Sequence, residues 1–441
     1  MIPDVGAFAR PIRRIDPDAV DLDDVETVRD LVGDARVVAI GEGAHGITEF
    51  YELKHRLFRI LVRELGFTGF VMESGFAEGL AVDEWIHGGP GRLEAVARDG
   101  ITYRFGECEP MRRQLRWMRR WNSASPAKVA FYGMDLPGSS TSPGPAVRAC
   151  LDRMPGLPGD EELLRLSELG GRTEAAVRFE AMPGADRARL LEGLRELGER
   201  ALLLDDEVVR RCADSLRAFV EELDAPPAGP YPRDVFMAET VSWILRRERR
   251  IVVSAHNAHV RRSPLLDRPM MGGLLSASLR ADLVVIGMTY GSGPEVRFTQ
   301  RSPRPFDCDV SLGARSLPPN CIEARLDRIG PPVAVVDLHR APSGLFDGAD
   351  GTLANGGLDP VDDFPAAYDA FIHVRRATRV PGAFERLRAE FDAAAEFDAA
   401  AGPDAAAGPD AAAGPDAAAG PDAAAGPYAK QSAHHEETEA P

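Results

Sequence analysis

Nowhere does the chain carry a run approaching the ~18 apolar residues that a membrane-spanning helix needs. Its N-terminus, MIPDVGAFARPIRRID, has no apolar core behind its charges. Neither a spanning helix nor a secretory leader is expected, so no membrane partner is expected either, and the default location is the cytoplasm. Cysteine is scarce: Cys108, Cys150, Cys212, Cys308 and Cys321 are odd in number and far apart, with no CxxC spacing. That argues against a disulfide framework or a thiolate zinc site and predicts buried, reduced thiols. Positive charge is also short, with 52 Lys and Arg against 69 Asp and Glu. A net charge of −17 removes the attraction to phosphate backbones on which nucleic-acid binders depend, so no nucleic-acid partner is expected. Finally, GxSxG is absent, which argues against a nucleophile-elbow serine hydrolase and leaves Ser74 as a minor candidate.

What the chain does have is a large apolar content, 44% of its 441 residues, arranged in short blocks. RVVAI (36–40), GFVM (69–72), KVAFYGM (128–134), RIVVSA (250–255), DLVVIGM (282–288), VAVVDL (333–338) and YDAFIHV (368–374) are rich in Val and Ile and nearly continuous. Such blocks read as strands buried on both faces, as in a parallel sheet covered by helices. The fold class expected is α/β, a mostly parallel sheet flanked by helices with a large helical insertion.

Between the first two blocks, Phe50, Leu53, Leu57 and Leu61 form a helical stripe, with Thr48 as its expected N-cap. Between the third and fourth blocks, two further stripes (Leu190, Leu194, Leu197, Ala201, Leu204; Val208, Cys212, Leu216, Phe219, Leu223) mark the insertion, placed at about 139–226. The breaker APPAGPYP closes it, and a helix over about 233–249 leads back to the sheet. From Glu390 the chain repeats every six residues, EFDAAA twice and then GPDAAA four times, and this stretch carries −10 of the net charge. Gly-Pro in each repeat breaks helix propagation, so 390–441 is expected to be a disordered acidic appendage to a catalytic domain of residues 1–389.

In open α/β sheets, ligands bind beyond the carboxyl ends of the strands. The first block is followed by GEGAHG with Glu42 and His45, the second by Glu73 and Ser74, and the third by Asp135. The fourth is followed by His256, Asn257 and His259, and the fifth by Thr289 and Tyr290. GEGAHG also fits GxGxxG, but it places a carboxylate where backbone N–H groups would cradle a pyrophosphate, so the dinucleotide reading is rejected. Glu42-x-x-His45 with His256-x-x-His259 suits either of two chemistries. One is a zinc, manganese or iron site. The other is metal-free, with Glu42 orienting His45 so that its second ring nitrogen takes a proton from water, and with His256 and His259 polarising a carbonyl or protonating a leaving alkoxide.

The segments GEGAHGITEFYELKHRLFRILVRELGFTGFVMESGFAEG, YGMDLPG, RDVFMAETVSWIL, VVSAHNAHV, MGGLL and VVIGMTYGSG, in that order, resemble the erythromycin esterase family over roughly residues 15–375. The resemblance implies a carboxylic ester hydrolase that opens the lactone of macrolide antibiotics by histidine-activated water, with no metal or other cofactor and a small-molecule lactone ester as its partner. It puts the general base on His45, its glutamate on Glu42, and the residues that position water and substrate on His256 and His259. Lys54 stands where characterised members carry an arginine; with Glu73, Asp135, Arg233 and Glu239 it is assigned to substrate binding. A metal-dependent hydrolase built from the same residues and a noncatalytic module for a small amphiphile are the competing expectations.

Overall fold

The computed structural model describes residues 5–401 apart from 20, 224–227, 302–306 and 355. Twelve strands run in chain order as β1 Ala9–Pro11, β2 Val37–Ile40, β3 Gly69–Gly75, β4 Ala130–Asp135, β5 Ile251–Ser254, β6 Leu283–Ser292, β7 Pro294–Gln300, β8 Cys308–Ala314, β9 Val333–Asp337, β10 Gly351–Ala354, β11 Gly357–Pro360 and β12 Ala370–Arg376. Eight of them form one sheet in the order β1-β9-β12-β6-β2-β5-β3-β4. All seven apolar blocks are in it. From β12 to β4 every neighbouring pair is parallel, while β9 runs antiparallel to both its neighbours, β12 and the short edge strand β1. The fold is thus α/β with a mostly parallel sheet. The continuity of the blocks has a simple cause: every residue of β2 and β5 is buried, so no face of these strands needs polar alternation. β1 and the two small hairpins, β7-β8 and β10-β11, are too short or too exposed to give such a signal.

The described residues divide into two compact units. The first comprises the described residues of 5–136, 218–295 and 314–381 and contains the eight-stranded sheet. The helix expected over 233–249 is in this unit and spans Pro232–Ile244, with proline in its first turn where a missing N–H costs nothing. The striped helix after β2 spans Thr48–Leu65. Its N-cap is Ile47 and not Thr48; no side chain caps it, and Glu49 instead accepts hydrogen bonds from the amide and hydroxyl of Thr378, both at 2.8 Å.

The second unit comprises the described residues of 137–217, 296–313 and 382–401. The insertion is helical, as expected: Gly144–Leu151, Asp160–Ser167, Arg172–Glu180, Gly184–Leu202 and Glu207–Leu223, with Leu190, Leu194, Leu197 and Ala201 buried along one stripe. Part of the breaker after it lies outside the described residues.

The expected boundary at Glu390 is corrected. A helix runs over Ala383–Ala401, straight through both EFDAAA repeats. Alanine favours helix, the first Gly-Pro comes only at Gly402, and Phe391 gives the repeats an apolar anchor. Phe391 is buried against Phe298 and beside Cys308, while Glu390 accepts from the Thr173 hydroxyl at 3.1 Å. The expectation of disorder for the GPDAAA repeats falls outside the described residues. No helix among the described residues is long and apolar enough to cross a membrane.

Candidate active site

Because β2, β5, β3 and β4 are consecutive parallel neighbours, their carboxyl ends bring the four predicted segments side by side. Two backbone devices shape them. Beyond β2, the Gly41 and Gly43 amides donate to Ile286 and Met288 carbonyls at 2.7 and 2.9 Å, so the loop stays tied to β6. A Cβ on Gly41 would run into the Asn257 side chain, and Gly46 turns the chain with φ +71°. In β3, Met72 opposes Gly133 and Gly75 opposes Asp135, so one extra residue bulges out at Glu73-Ser74. Bulges re-aim side chains, and here the bulge presents Glu73 at the sheet edge.

Two chains of charge meet at this edge. In the first, His45 Nδ1–H donates to Glu42 Oε1 at 2.7 Å and Lys54 Nζ donates to Glu42 Oε2 at 2.6 Å. Burial alone would raise the Glu42 pKa; Lys54 and then His45 outweigh it and hold the carboxyl down at about 2. Glu42 is therefore an anion, which fixes Nδ1 of His45 as the protonated nitrogen. Lys54 supplies a point charge where an arginine's planar fork would supply two donors.

In the second chain, Arg233 grips Asp135 with two bonds, Nε to Oδ1 at 2.9 Å and Nη2 to Oδ2 at 2.6 Å, and Nη2 reaches Glu73 Oε1 at 2.8 Å. Tyr103 Oη donates to Asp135 at 3.0 Å and accepts from Arg233 at 3.1 Å. His259 Nδ1–H donates to Asp234 at 2.9 Å, and its Nε2 lies 3.2 Å from Arg233 Nη1 and 3.5 Å from Glu73 Oε1. Burial opposes charge on His259, but Asp234 and then Glu73 prevail and raise its pKa above the usual histidine range.

His256 joins the two chains. Its amide donates to Glu73 Oε2 at 2.7 Å, and its ring centroid lies 5.3 Å from that of His45. The Ala258 amide donates to His256 Nδ1 at 3.2 Å, which leaves the neutral ring carrying its proton on Nε2. Burial, reinforced by His45, lowers the His256 pKa to about 3, so the ring is uncharged at neutral pH.

The three histidines converge, and so do Glu42, Lys54, Glu73, Asp135 and Arg233. Several of the residues expected to bind substrate are buried. Arg233 is 2% exposed, Glu73 and Asp135 are equally buried, and their polar atoms are engaged with one another. Only His45 keeps appreciable exposure, 18% of its side chain. Glu239 does not join the site. It is exposed, and six residues past Arg233 it sits roughly 120° around the helix axis.

Two further participants, Asp234 and Tyr103, carry no clear signal in the sequence, and Asn257, though it follows the fourth block, has a role that only the structure shows. Asp234 directly follows Arg233 at a helix start, a place where a carboxylate reads as a dipole partner. Asn257 donates to and accepts from the Met288 backbone at 3.0 and 3.1 Å, while its amide donates to the Glu42 carbonyl at 2.9 Å, so it locks the HNAH segment to the GEGAHG loop. Tyr103 comes from an irregular loop with φ +55°, which no periodic pattern marks. Among the described residues, no group of three or more His, Cys, Asp or Glu side chains is arranged to hold a metal ion.

The family description "Erythromycin esterase" matches residues 62–377. The chain belongs to the erythromycin esterase family. The match begins beyond Lys54, so it takes in Glu73, Asp135, Arg233, His256 and His259 and leaves the Glu42–His45 pair to the geometry. Among curated relatives, the chain is similar to an erythromycin esterase type II from Escherichia coli, 28% identical over 62% of this chain and 73% of that protein. It is also similar to an erythromycin esterase type I from the same organism, 23% identical over 57% of this chain and 68% of that one. Among solved structures, a mutant erythromycin esterase in its open conformation superposes with a TM-score of 0.66 at 20% identity, over 84% of this chain and 98% of that one.

Buried neutral histidines make stability acid-sensitive. His256 and His55 have pKa values pushed by burial from 6.5 to about 3, and His373 to about 4. Between pH 6.5 and those values the unfolded chain binds protons that the folded chain does not, so stability falls as pH falls. Each group contributes up to about 1.4 kcal/mol per pH unit in that window. Below the ordinary glutamate value of 4.5, loss of the Glu42 contribution adds to this until pH reaches about 2. Glu222 and Asp359, whose carboxyls burial raises to about 7 and about 6, act in the opposite direction over the same window. The expected result is therefore that His55→Leu makes the denaturant midpoint fall less between pH 6.5 and 4 than in the wild type; an identical pH profile would mean that the ring is charged or exposed in the folded protein.

Proposed function

We propose that the chain is a carboxylic ester hydrolase that opens the lactone ring of a macrolide or related small-molecule ester, with His45 activating the attacking water. The observation that carries this reading is the Lys54–Glu42–His45 chain. An ionised carboxylate held by a buried ammonium fixes the Nδ1–H tautomer of the one partly exposed imidazole at the sheet edge. Proton transfer then runs through Nε2, as general base catalysis requires.

The water oxygen bonds to the ester carbonyl carbon while its proton passes to His45 Nε2. The carbonyl electron pair moves to oxygen, and in this reading the Nε2–H of neutral His256 donates to the oxyanion. Collapse breaks the bond to the ring oxygen, and the leaving alkoxide takes the proton from His45 Nε2. The products are a hydroxyl and a carboxylic acid, and His45 returns to its starting state. Buried His259, Arg233, Asp135 and Glu73 hold His256 from behind in this scheme, with Glu73 binding its amide directly. Support for a metal-free route comes from the same bonds, since Glu42 spends its oxygens on His45 and Lys54.

Incubation of the purified full chain with erythromycin, followed by mass spectrometry, tests the reading. A product heavier than erythromycin by one water is expected. No mass change across a panel of macrolides would overturn the substrate class.

A further inference from the structure

Directly behind the Glu42–Lys54 ion pair lies a small enclosed cavity whose polar walls are Glu42, Tyr51, Lys54, Glu73, Gln114 and Ser254. It has room for about one water molecule and so is too small for any part of a macrolide. Two of its walls present a puzzle of satisfaction. Tyr51 is 5% exposed and Gln114 is 2% exposed, yet among the described residues Gln114 Nε2 has no hydrogen-bond partner and Tyr51 Oη has none but the Cys108 thiol. The Cys108 thiol adjoins Tyr51, but a thiol sulfur is only a weak acceptor. A buried donor left unsatisfied costs about 1–3 kcal/mol, and two that line the same cavity point to a shared ligand. The occupant must accept from both donors, be neutral and fit the space. Internal water meets these terms, since it accepts two bonds, donates two, and binds where two to four polar groups converge.

We propose that this cavity holds one internal water as a fixed part of the active site, with Tyr51 and Gln114 as its holders. The water accepts from Gln114 Nε2–H and Tyr51 Oη–H and donates to the carboxylates that face the cavity, Glu42 and Glu73. It thereby braces Glu42 from the side opposite His45, and like His256 it touches both charge chains. Tyr51 and Gln114 are positioning residues: they act on the reaction only through the orientation of Glu42, which sets the orientation of His45. Tyr51 also packs edge-on against Phe105 at 6.5 Å, and Phe105 packs against His45 at 5.2 Å. The informative substitutions must therefore keep shape and remove only polarity. Tyr51→Phe deletes the hydroxyl alone, and Gln114→Leu deletes the amide at similar volume.

This inference rests on the esterase reading for its kinetic arm but not for its structural one. A crystal structure of the full chain at a resolution that places waters is expected to show density within hydrogen-bond distance of Tyr51 Oη and Gln114 Nε2, and to lose it in Gln114→Leu. With erythromycin as the ester, kcat of each variant is expected to fall about three- to tenfold at unchanged KM, the loss corresponding to about one hydrogen bond. A merely structural role would lower the melting temperature and leave the kcat of the folded fraction alone. A dry cavity in the wild-type crystal overturns the proposal. So does unchanged kcat in both variants while the wild type turns erythromycin over. If the wild type leaves every ester intact, the esterase reading falls, and the crystal alone decides the water.

Discussion

His45→Ala is expected to lower kcat/KM for ester hydrolysis by about 10²–10⁴-fold, the range over which a positioned acid–base group accelerates proton transfer. The expectation comes from placement as much as from residue type. His45 is the only one of the three converging imidazoles with appreciable exposure, and it alone is bonded to an ionised carboxylate that is itself held by a lysine. His256 lies 5.3 Å away but is buried and neutral down to about pH 3, so it cannot accept the proton that His45 no longer takes. Fold loss is not expected to confuse the result, because truncation at a partly exposed loop position leaves Glu42 its bond to Lys54. Steady-state hydrolysis of erythromycin checks it, with circular dichroism to confirm an unchanged fold. Glu42→Gln should show a smaller loss, since the amide keeps the spacing but no longer stabilises an imidazolium.

Arg233→Met is expected to destabilise the protein by about 3–5 kcal/mol, because removing one partner of a buried ion network strands the others. Arg233 lies between Asp135 and Glu73, with bonds of 2.6 to 2.9 Å to both, and all three are nearly inaccessible to solvent. Without the guanidinium, two carboxylates face each other in a low dielectric and must take up protons or admit water. Arg233→Lys is not expected to restore stability, since an ammonium cannot make the paired contact that Nε and Nη2 make to Asp135. Urea unfolding at pH 7 reads the effect. A loss within about 0.5 kcal/mol of zero, the range usual for surface substitutions, would mean that the network is hydrated.

The sheet and most of the candidate site are legible in the sequence for one physical reason. Strands buried on both faces must be apolar throughout, so RVVAI, GFVM and RIVVSA stand out, and the residues just past each block must lie at the carboxyl edge. Glu42, His45, His256 and His259 are recovered this way, and the bulge that aims Glu73 leaves a trace only in Gly133, where a side chain would collide with the backbone of Ser74 and Gly75. Legibility fails where a position depends on partners far along the chain. Tyr103 reaches Arg233 from an irregular loop, Asn257 acts through the Met288 backbone, and Glu239 shares Arg233's helix but not its face. The C-terminal helix is hidden by a repeat whose alanine-rich body favours helix while its later Gly-Pro steps do not.

The central claim is that a carboxylate-held histidine, acting without a metal, takes the proton from water. Turnover of erythromycin by protein stripped with chelator, with metal content measured on the same sample, tests this most directly. The account predicts an unchanged rate in the stripped wild type and no activity gain for His45→Ala on adding zinc or manganese. Loss of turnover on stripping, restored by either ion, would contradict it and favour a metal-dependent hydrolase built from the same side chains.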